Sequence, residues 1–148
     1  ARRRHAADSL TSKIEGIPGV IPARIRPGCK SSWWLYPMMI DEQILACDPG
    51  QFAKALSAEG IPAGQGYIGR PIFMAPFLQN KTAYGRTHCP FACELYGREI
   101  SYEERDTPNT VQILRRLITL PINEFFTDDD VGDIARGVEK VARAYQVK

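Results

Sequence analysis

The segment YIGRPIFMAPF, residues 67–77, sets one guanidinium among three aromatic rings, two prolines and a glycine. It is too rich in proline for a buried helix and too apolar for an ordinary surface loop. Arg70 offers a planar fork that can grip a carboxylate through two parallel hydrogen bonds. Tyr67, Phe73 and Phe77 offer stiff apolar surface that loses little entropy when something docks against it. A second aromatic group, Trp33, Trp34 and Tyr36, lies in the run SSWWLYPMMID.

Other chemistry-bearing residues are sparse. His88, Cys89 and Cys93 in HCPFAC do not have zinc-knuckle spacing, Pro90 stiffens the run, and no second CxxC or HxxxH closes a tetrahedron. No metal site is expected. The four cysteines, Cys29, Cys47, Cys89 and Cys93, are spread through a chain long enough to fold without staples, so reduced thiols in a cytoplasm are expected.

The bulk properties exclude several classes. A chain of 148 residues suits one domain, 1–148. The formal net charge of +2 is too small to argue for nucleic acid, and the basic ARRRH opening reads as a solvated helix end. No apolar run approaches the roughly 20 residues that span a membrane, and no signal-peptide pattern opens the chain.

The elements that must position these residues are legible from periodicity and breakers. Ala7, Leu10, Ile14 and Ile17 predict an amphipathic helix over 2–17, broken at Pro18 and Gly19. It has no evident N-cap, which suggests a piece of something longer. Residues 20–25 and 33–41 have strand composition, and Pro37 argues for a bulge or an edge in the second. Asp48 and Pro49 start a helix that Gly60 ends. Residues 64–106 read mostly as loop, and a loop that long is usually functional or docks on a partner. Thr107 and Pro108 start a helix to about 116, followed by a strand in LITLPI. Thr127 and Asp130 resemble a capping box for a last helix carrying Val131, Ile134, Ala135, Val138, Val141, Ala142 and Tyr145 on one face. Lys140, Arg143 and Lys148 put positive charge toward its end. The predicted fold is α+β, with helices packed on a small, mainly antiparallel sheet.

In that order, four stretches resemble the small C-terminal domain of the DegT/DnrJ/EryC1/StrS aminotransferases. They are RRRHAADSL, IEGIPGVIPARIRPGCKSSWWLYPMMID, FAKALSAEGIPAGQGYIGRPIFMAPF and LITLPINEFFTDDDVGDIARGVEKVARAY. The resemblance implies a fold-type I, pyridoxal-phosphate parent enzyme that moves an amino group from glutamate or glutamine to a keto-sugar or aminocyclitol. The parent would be a homodimer, and this chain's partner would be the enzyme's own large domain. The cofactor-bearing lysine, the aspartate at the pyridine nitrogen and the phosphate cradle belong to that large domain. None of Lys13, Lys30, Lys54, Lys81, Lys140 and Lys148 stands in the cofactor-lysine context. The chain alone is therefore expected to hold no cofactor and no catalytic residue.

Two positions depart from the family pattern. Phe73 stands where many relatives carry a histidine, and TPNT keeps only Pro108 of a Cys-Pro and Glu pattern. Sugar specificity cannot be carried over across those changes. The resemblance makes Arg70, Tyr67, Phe73, Trp34 and Tyr36 one wall of a substrate site, with Arg70 holding the carboxylate of the amino donor. Ordinary core or interface packing is the competing reading of the rings, and a surface salt bridge that of Arg70. The rival function is a free-standing α+β module that binds a small ligand or a protein without chemistry.

Overall fold

The computed structural model describes residues 1–82, 84–85, 87–98 and 100–147. In chain order the elements are α1 (Arg2–Ile14), β1 (Val20–Pro22), β2 (Tyr36–Ile40), α2 (Pro49–Ala58), β3 (Gly64–Gln65), α3 (Pro76–Gln79), α4 (Pro108–Arg116), β4 (Ile118–Leu120) and α5 (Asp128–Tyr145). Short 3-10 turns occupy Ile72–Met74 and Glu104–Asp106. The chain divides into two compact units, one made of 1–67 with 116–148 and the other of 68–115.

The first unit is the α+β fold that the sequence predicts. Its sheet has the order β1-β2-β4-β3, and every pairing is antiparallel. Strand β2 alternates as a strand with one covered face should: Tyr36, Met38 and Ile40 are buried, while Pro37 and Met39 are half-buried. The core joins that face to the inward stripes of three helices. Ala7, Leu10 and Ile14 come from α1, Phe52 and Leu56 from α2, and Val131, Val138 and Val141 from α5.

Pro37 is not on an edge strand, since β2 lies between β1 and β4. The ladder to β1 covers only Ile40, Met39 and Met38, whereas the ladder to β4 covers Tyr36, Pro37 and Met38. At Pro37 the strand therefore has a neighbour on one side only, so a missing amide is tolerated there. Strand β1 stops at Pro22 rather than running to residue 25, and Arg24 to Gly28 form an exposed loop. Helix α1 likewise ends at Ile14, three residues short of the predicted end, and Gly16 follows with φ +113°.

Local capping is as the residues dictate. Asp48 accepts from Gln51 N at 2.8 Å while the Gln51 side chain accepts from Asp48 N at 2.9 Å. Thr127 and Asp130 make the same reciprocal pair at the start of α5, at 3.2 and 2.8 Å. The Thr127 hydroxyl also donates to Asp130 Oδ2 at 2.7 Å, and that bond first, with the Thr127 amide second, holds the Asp130 carboxyl below its usual range. The N-terminal ends of α1 and α5 are linked by His5 Nε2 to Asp128 Oδ1 at 3.0 Å. Arg3 pairs with Glu124 and lowers that carboxyl as well. Lys148 lies outside the described residues.

One helix crossing depends on the absence of a side chain. Gly137 is buried in α5, and a Cβ there would overlap Cδ1 of Ile61. The chain leaving α2 can approach α5 this closely only over glycine.

The second unit has little interior. Among its described residues only Pro71, Phe91 and Val111 are buried. The sequence reading expects four reduced thiols, but here Cys89 and Cys93 are joined in a disulfide, with Cα atoms 5.0 Å apart. A tight turn in which Phe91 N and Ala92 N both donate to His88 O, at 2.8 and 2.9 Å, brings the two sulfurs together. Cys29 and Cys47 remain thiols, exposed and buried respectively.

Candidate functional site

Trp34, Tyr36 and Tyr67 belong to the first unit, Arg70 and Phe73 to the second. The structure treats the first three differently. Tyr36, expected in a substrate wall, is a core residue with no exposed surface. Its hydroxyl lies 2.8 Å from Thr11 Oγ1, and that hydroxyl donates to Ala7 O at 2.9 Å. Since Thr11 has one proton to give, Tyr36 donates to it. Burial pushes the phenol above its ordinary pKa. Tyr36 therefore has neither the access nor a free polar atom to meet a substrate.

Trp33 takes a left-handed backbone conformation, φ +55°, which is costly for a bulky residue at about 1–3 kcal/mol. Its indole is buried and stacked on the Tyr36 ring at 5.4 Å between centroids, and that burial offsets the strain. Its amide donates to Ser31 Oγ at 3.1 Å. With Trp33 turned inward, the next residue faces out: Trp34 is 73% exposed. One of two adjacent, identical side chains is core and the other is available surface. Tyr67, at 60% exposure, is also available.

In the second unit the segment around Arg70 is built stepwise. Gly69 has φ +71° with open space where a Cβ would be, so the backbone reverses there without strain. Pro71 resumes an extended course at φ −55°, ψ 143°. The 3-10 turn Ile72–Met74 follows, then α3, whose first residue is Pro76. The Arg70 side chain is exposed and makes no hydrogen bond or ion pair with any described residue. Among the described residues, then, no acidic side chain engages its donor fork.

Phe73 is half-buried and stacks on Tyr102, 6.2 Å between centroids at 23°. Phe91 meets the same Tyr102 edge-on at 6.4 Å. The Gln79 amide donates to Phe73 O at 2.9 Å and to Tyr102 O at 3.2 Å, tying the two segments at the backbone. Tyr102, Phe91 and Gln79 have no sequence signal for this role, since Tyr102 and Gln79 reach Phe73 across 29 and 6 residues and Phe91 acts only through Tyr102. The structure thus brings Arg70 and Phe73 onto one supported turn and leaves Trp34 and Tyr67 as exposed rings of the other unit. Among the described residues no group of three or more His, Cys, Asp or Glu could hold a metal ion, and no helix is long and apolar enough to cross a membrane.

Comparison with known proteins agrees with this architecture. The uncharacterized protein MJ1066 of Methanocaldococcus jannaschii is 28% identical over 140 residues, 95% of this chain and 31% of that protein. The spore coat polysaccharide biosynthesis protein SpsC of Bacillus subtilis is 24% identical over 143 residues, 96% of this chain and 32% of that protein. The chain thus spans about a third of the length of these relatives. Among solved structures, S. venezuelae DesV in complex with a ketimine intermediate superposes with a TM-score of 0.66 at 16% identity. It covers 99% of this chain and 32% of DesV, a likeness that establishes the fold. Residues 1–102, more than half of the chain, match the sequence profile of one family, and they include the sheet edge, α2 and the Arg70 turn just described. The chain belongs to the DegT/DnrJ/EryC1/StrS aminotransferase family.

Proposed function

We propose that these residues are the small C-terminal domain of a sugar aminotransferase, which moves an amino group from glutamate or glutamine to a keto-sugar by means of pyridoxal phosphate. The observation that carries the reading is family membership over 1–102 in a chain that aligns end to end with only a third of its relatives. A polysaccharide-biosynthesis role in the name of one relative supports a sugar acceptor.

Bound pyridoxal phosphate supplies an electron sink that lets an amino group pass between two carbon skeletons. Its covalent attachment needs a desolvated amine beside a base or a cation, together with a phosphate site. Lys13, Lys30, Lys54 and Lys140 are exposed and Lys81 is half-buried, so none of the described lysines fits that attachment. The proposal assigns attachment to the rest of the enzyme, with the large domain and a second subunit as the partners of this one.

What this chain contributes is binding and orientation. Arg70, without a partner among the described residues and carried between Gly69 and Pro71, holds the donor's carboxylate by a bidentate contact. Phe73, braced by Tyr102, gives apolar wall in the same unit, and the first unit by itself presents Trp34 and Tyr67 as exposed rings. The test uses the full-length enzyme that contains these residues, supplied with nucleotide-linked keto-sugars and with glutamate or glutamine. An amino-sugar product detected by mass spectrometry supports the reading; no product from any keto-sugar with either donor overturns it. Arg70→Ala should lower donor kcat/KM by roughly ten- to a hundred-fold, and Arg70→Lys should recover only part of the loss, because a point charge replaces the planar fork. Unchanged donor kinetics in Arg70→Ala would remove Arg70 from the site.

A further inference from the structure

We propose that the Cys89–Cys93 pair is a redox clasp that sets the order of the Phe73 turn through the rings of Phe91 and Tyr102. The inference rests on contacts inside the second unit and not on the aminotransferase reading.

The connection is continuous. The disulfide closes a five-residue loop around Phe91, the ring that this unit buries most completely. Phe91 O accepts from Ile100 N at 3.0 Å, which fixes the start of the stretch leading to Tyr102. The Phe91 ring abuts Tyr102 edge-on, Tyr102 stacks on Phe73, and the Gln79 amide bridges the carbonyls of Phe73 and Tyr102. With only Pro71, Phe91 and Val111 buried among the described residues of this unit, there is little apolar interior to hold the arrangement once the loop opens. Segments this short and this poor in core commonly depend on a covalent staple. Both cysteines are half-buried, so a small dithiol can reach them.

The step is ordinary thiol–disulfide exchange. A thiolate of a dithiol reductant attacks one of the two sulfurs, the S–S bond breaks, and the other sulfur leaves as a thiolate that takes up a proton. The reductant's second thiolate then attacks the reductant's sulfur in the mixed disulfide, the bond to the remaining cysteine breaks, and that cysteine leaves as a thiolate that also takes up a proton. Cys89 and Cys93 end as thiols, and the reductant, two electrons poorer, as its own disulfide. In the dithiol form Phe91 is no longer held between two fixed points, Tyr102 loses its edge neighbour, and the Phe73 turn loosens.

The experiment is hydrogen exchange on the whole chain in its disulfide and dithiol forms, read by mass spectrometry. Unfolded without reductant, the disulfide form should show two titratable thiols, Cys29 and Cys47, and four after reduction. Reduction should speed exchange over 71–79 and 100–106 by roughly ten- to thirty-fold, the entropy of a closed five-residue loop. Exchange in β2 and α5 should not change. The double variant Cys89→Ser, Cys93→Ser should match the dithiol form and ignore the reductant. Where that variant does not fold, the native chain with and without dithiol decides. Four thiols before reduction, unchanged exchange over 71–79, or an equal rise in α5 would each overturn the clasp.

Discussion

Replacing Gly137 by alanine isolates a single steric contact. In an exposed helix interior the change would stabilise by about 1 kcal/mol, because alanine loses less backbone freedom on folding. At position 137 the new methyl overlaps Cδ1 of Ile61 and lies 3.4 Å from its Cγ1. Ile61 is itself buried, at 7% exposure, so its terminal methyl must rotate into packed neighbours. Overpacking of that kind costs about 1–3 kcal/mol. The net expectation is a loss of about 0–2 kcal/mol. Ile61→Val deletes the overlapping atom and keeps the one at van der Waals distance. It should cost about 0.5–1.5 kcal/mol alone. In that background Gly137→Ala should become favourable by about 0.5–1 kcal/mol. The four proteins form a double-mutant cycle with a coupling of about 1–3 kcal/mol, read by urea unfolding as a midpoint displacement on the order of 1 M. Equal effects of Gly137→Ala in both backgrounds, within about 0.5 kcal/mol, would refute the close crossing of the chain after α2 over α5.

Other consequences are as direct. Ile134→Ala on the buried face of α5 should cost about 2–5 kcal/mol by urea unfolding, and a loss under about 1 kcal/mol would mean that the face is lightly packed. Thr127→Ala should cost about 1 kcal/mol through the lost cap. Because the folded Asp130 carboxyl is lowered chiefly by Thr127, its contribution to stability is complete above the ordinary aspartate pKa of about 4 and disappears as pH falls through the lower folded value. Thr127→Ala should therefore flatten the acid limb of stability against pH, and an unchanged limb would count against the capping box. Tyr36→Phe should cost about 0.5–1.5 kcal/mol and leave donor and sugar kinetics of the full-length enzyme alone; a kinetic defect without a stability change would return Tyr36 to the substrate wall. In the native chain Cys29 should react quickly with a thiol reagent and Cys47 slowly, since burial, aided by Asp48 and Glu42, raises the Cys47 thiol; equal rates would mean that Cys47 is accessible.

What the sequence by itself determined is what lies within one helical turn or one strand repeat. The Asp48 cap, the Thr127–Asp130 box, the α5 stripe, the proline starts of α2 and α4 and the strand in LITLPI depend on residues at most four apart, or on a periodicity that one face of a core enforces. The ordered set of these local signals also carried the family resemblance. Contacts across many residues were decided only by the tertiary structure. Nothing in SSWWLY tells which ring is core; the left-handed turn at Trp33 and the Thr11 hydroxyl, 25 residues from Tyr36, put Trp33 and Tyr36 inside and Trp34 outside. Pro37 reads as an edge residue in isolation, and only the unequal lengths of two ladders let it sit in an inner strand. The two-residue strand β3 is too short to show any periodicity and exists because β4 offers it a partner. Cys89 and Cys93 read as free thiols until a turn at His88 folds one onto the other, and Phe73 finds its support in Tyr102 because backbone folding, not spacing, brings those rings together.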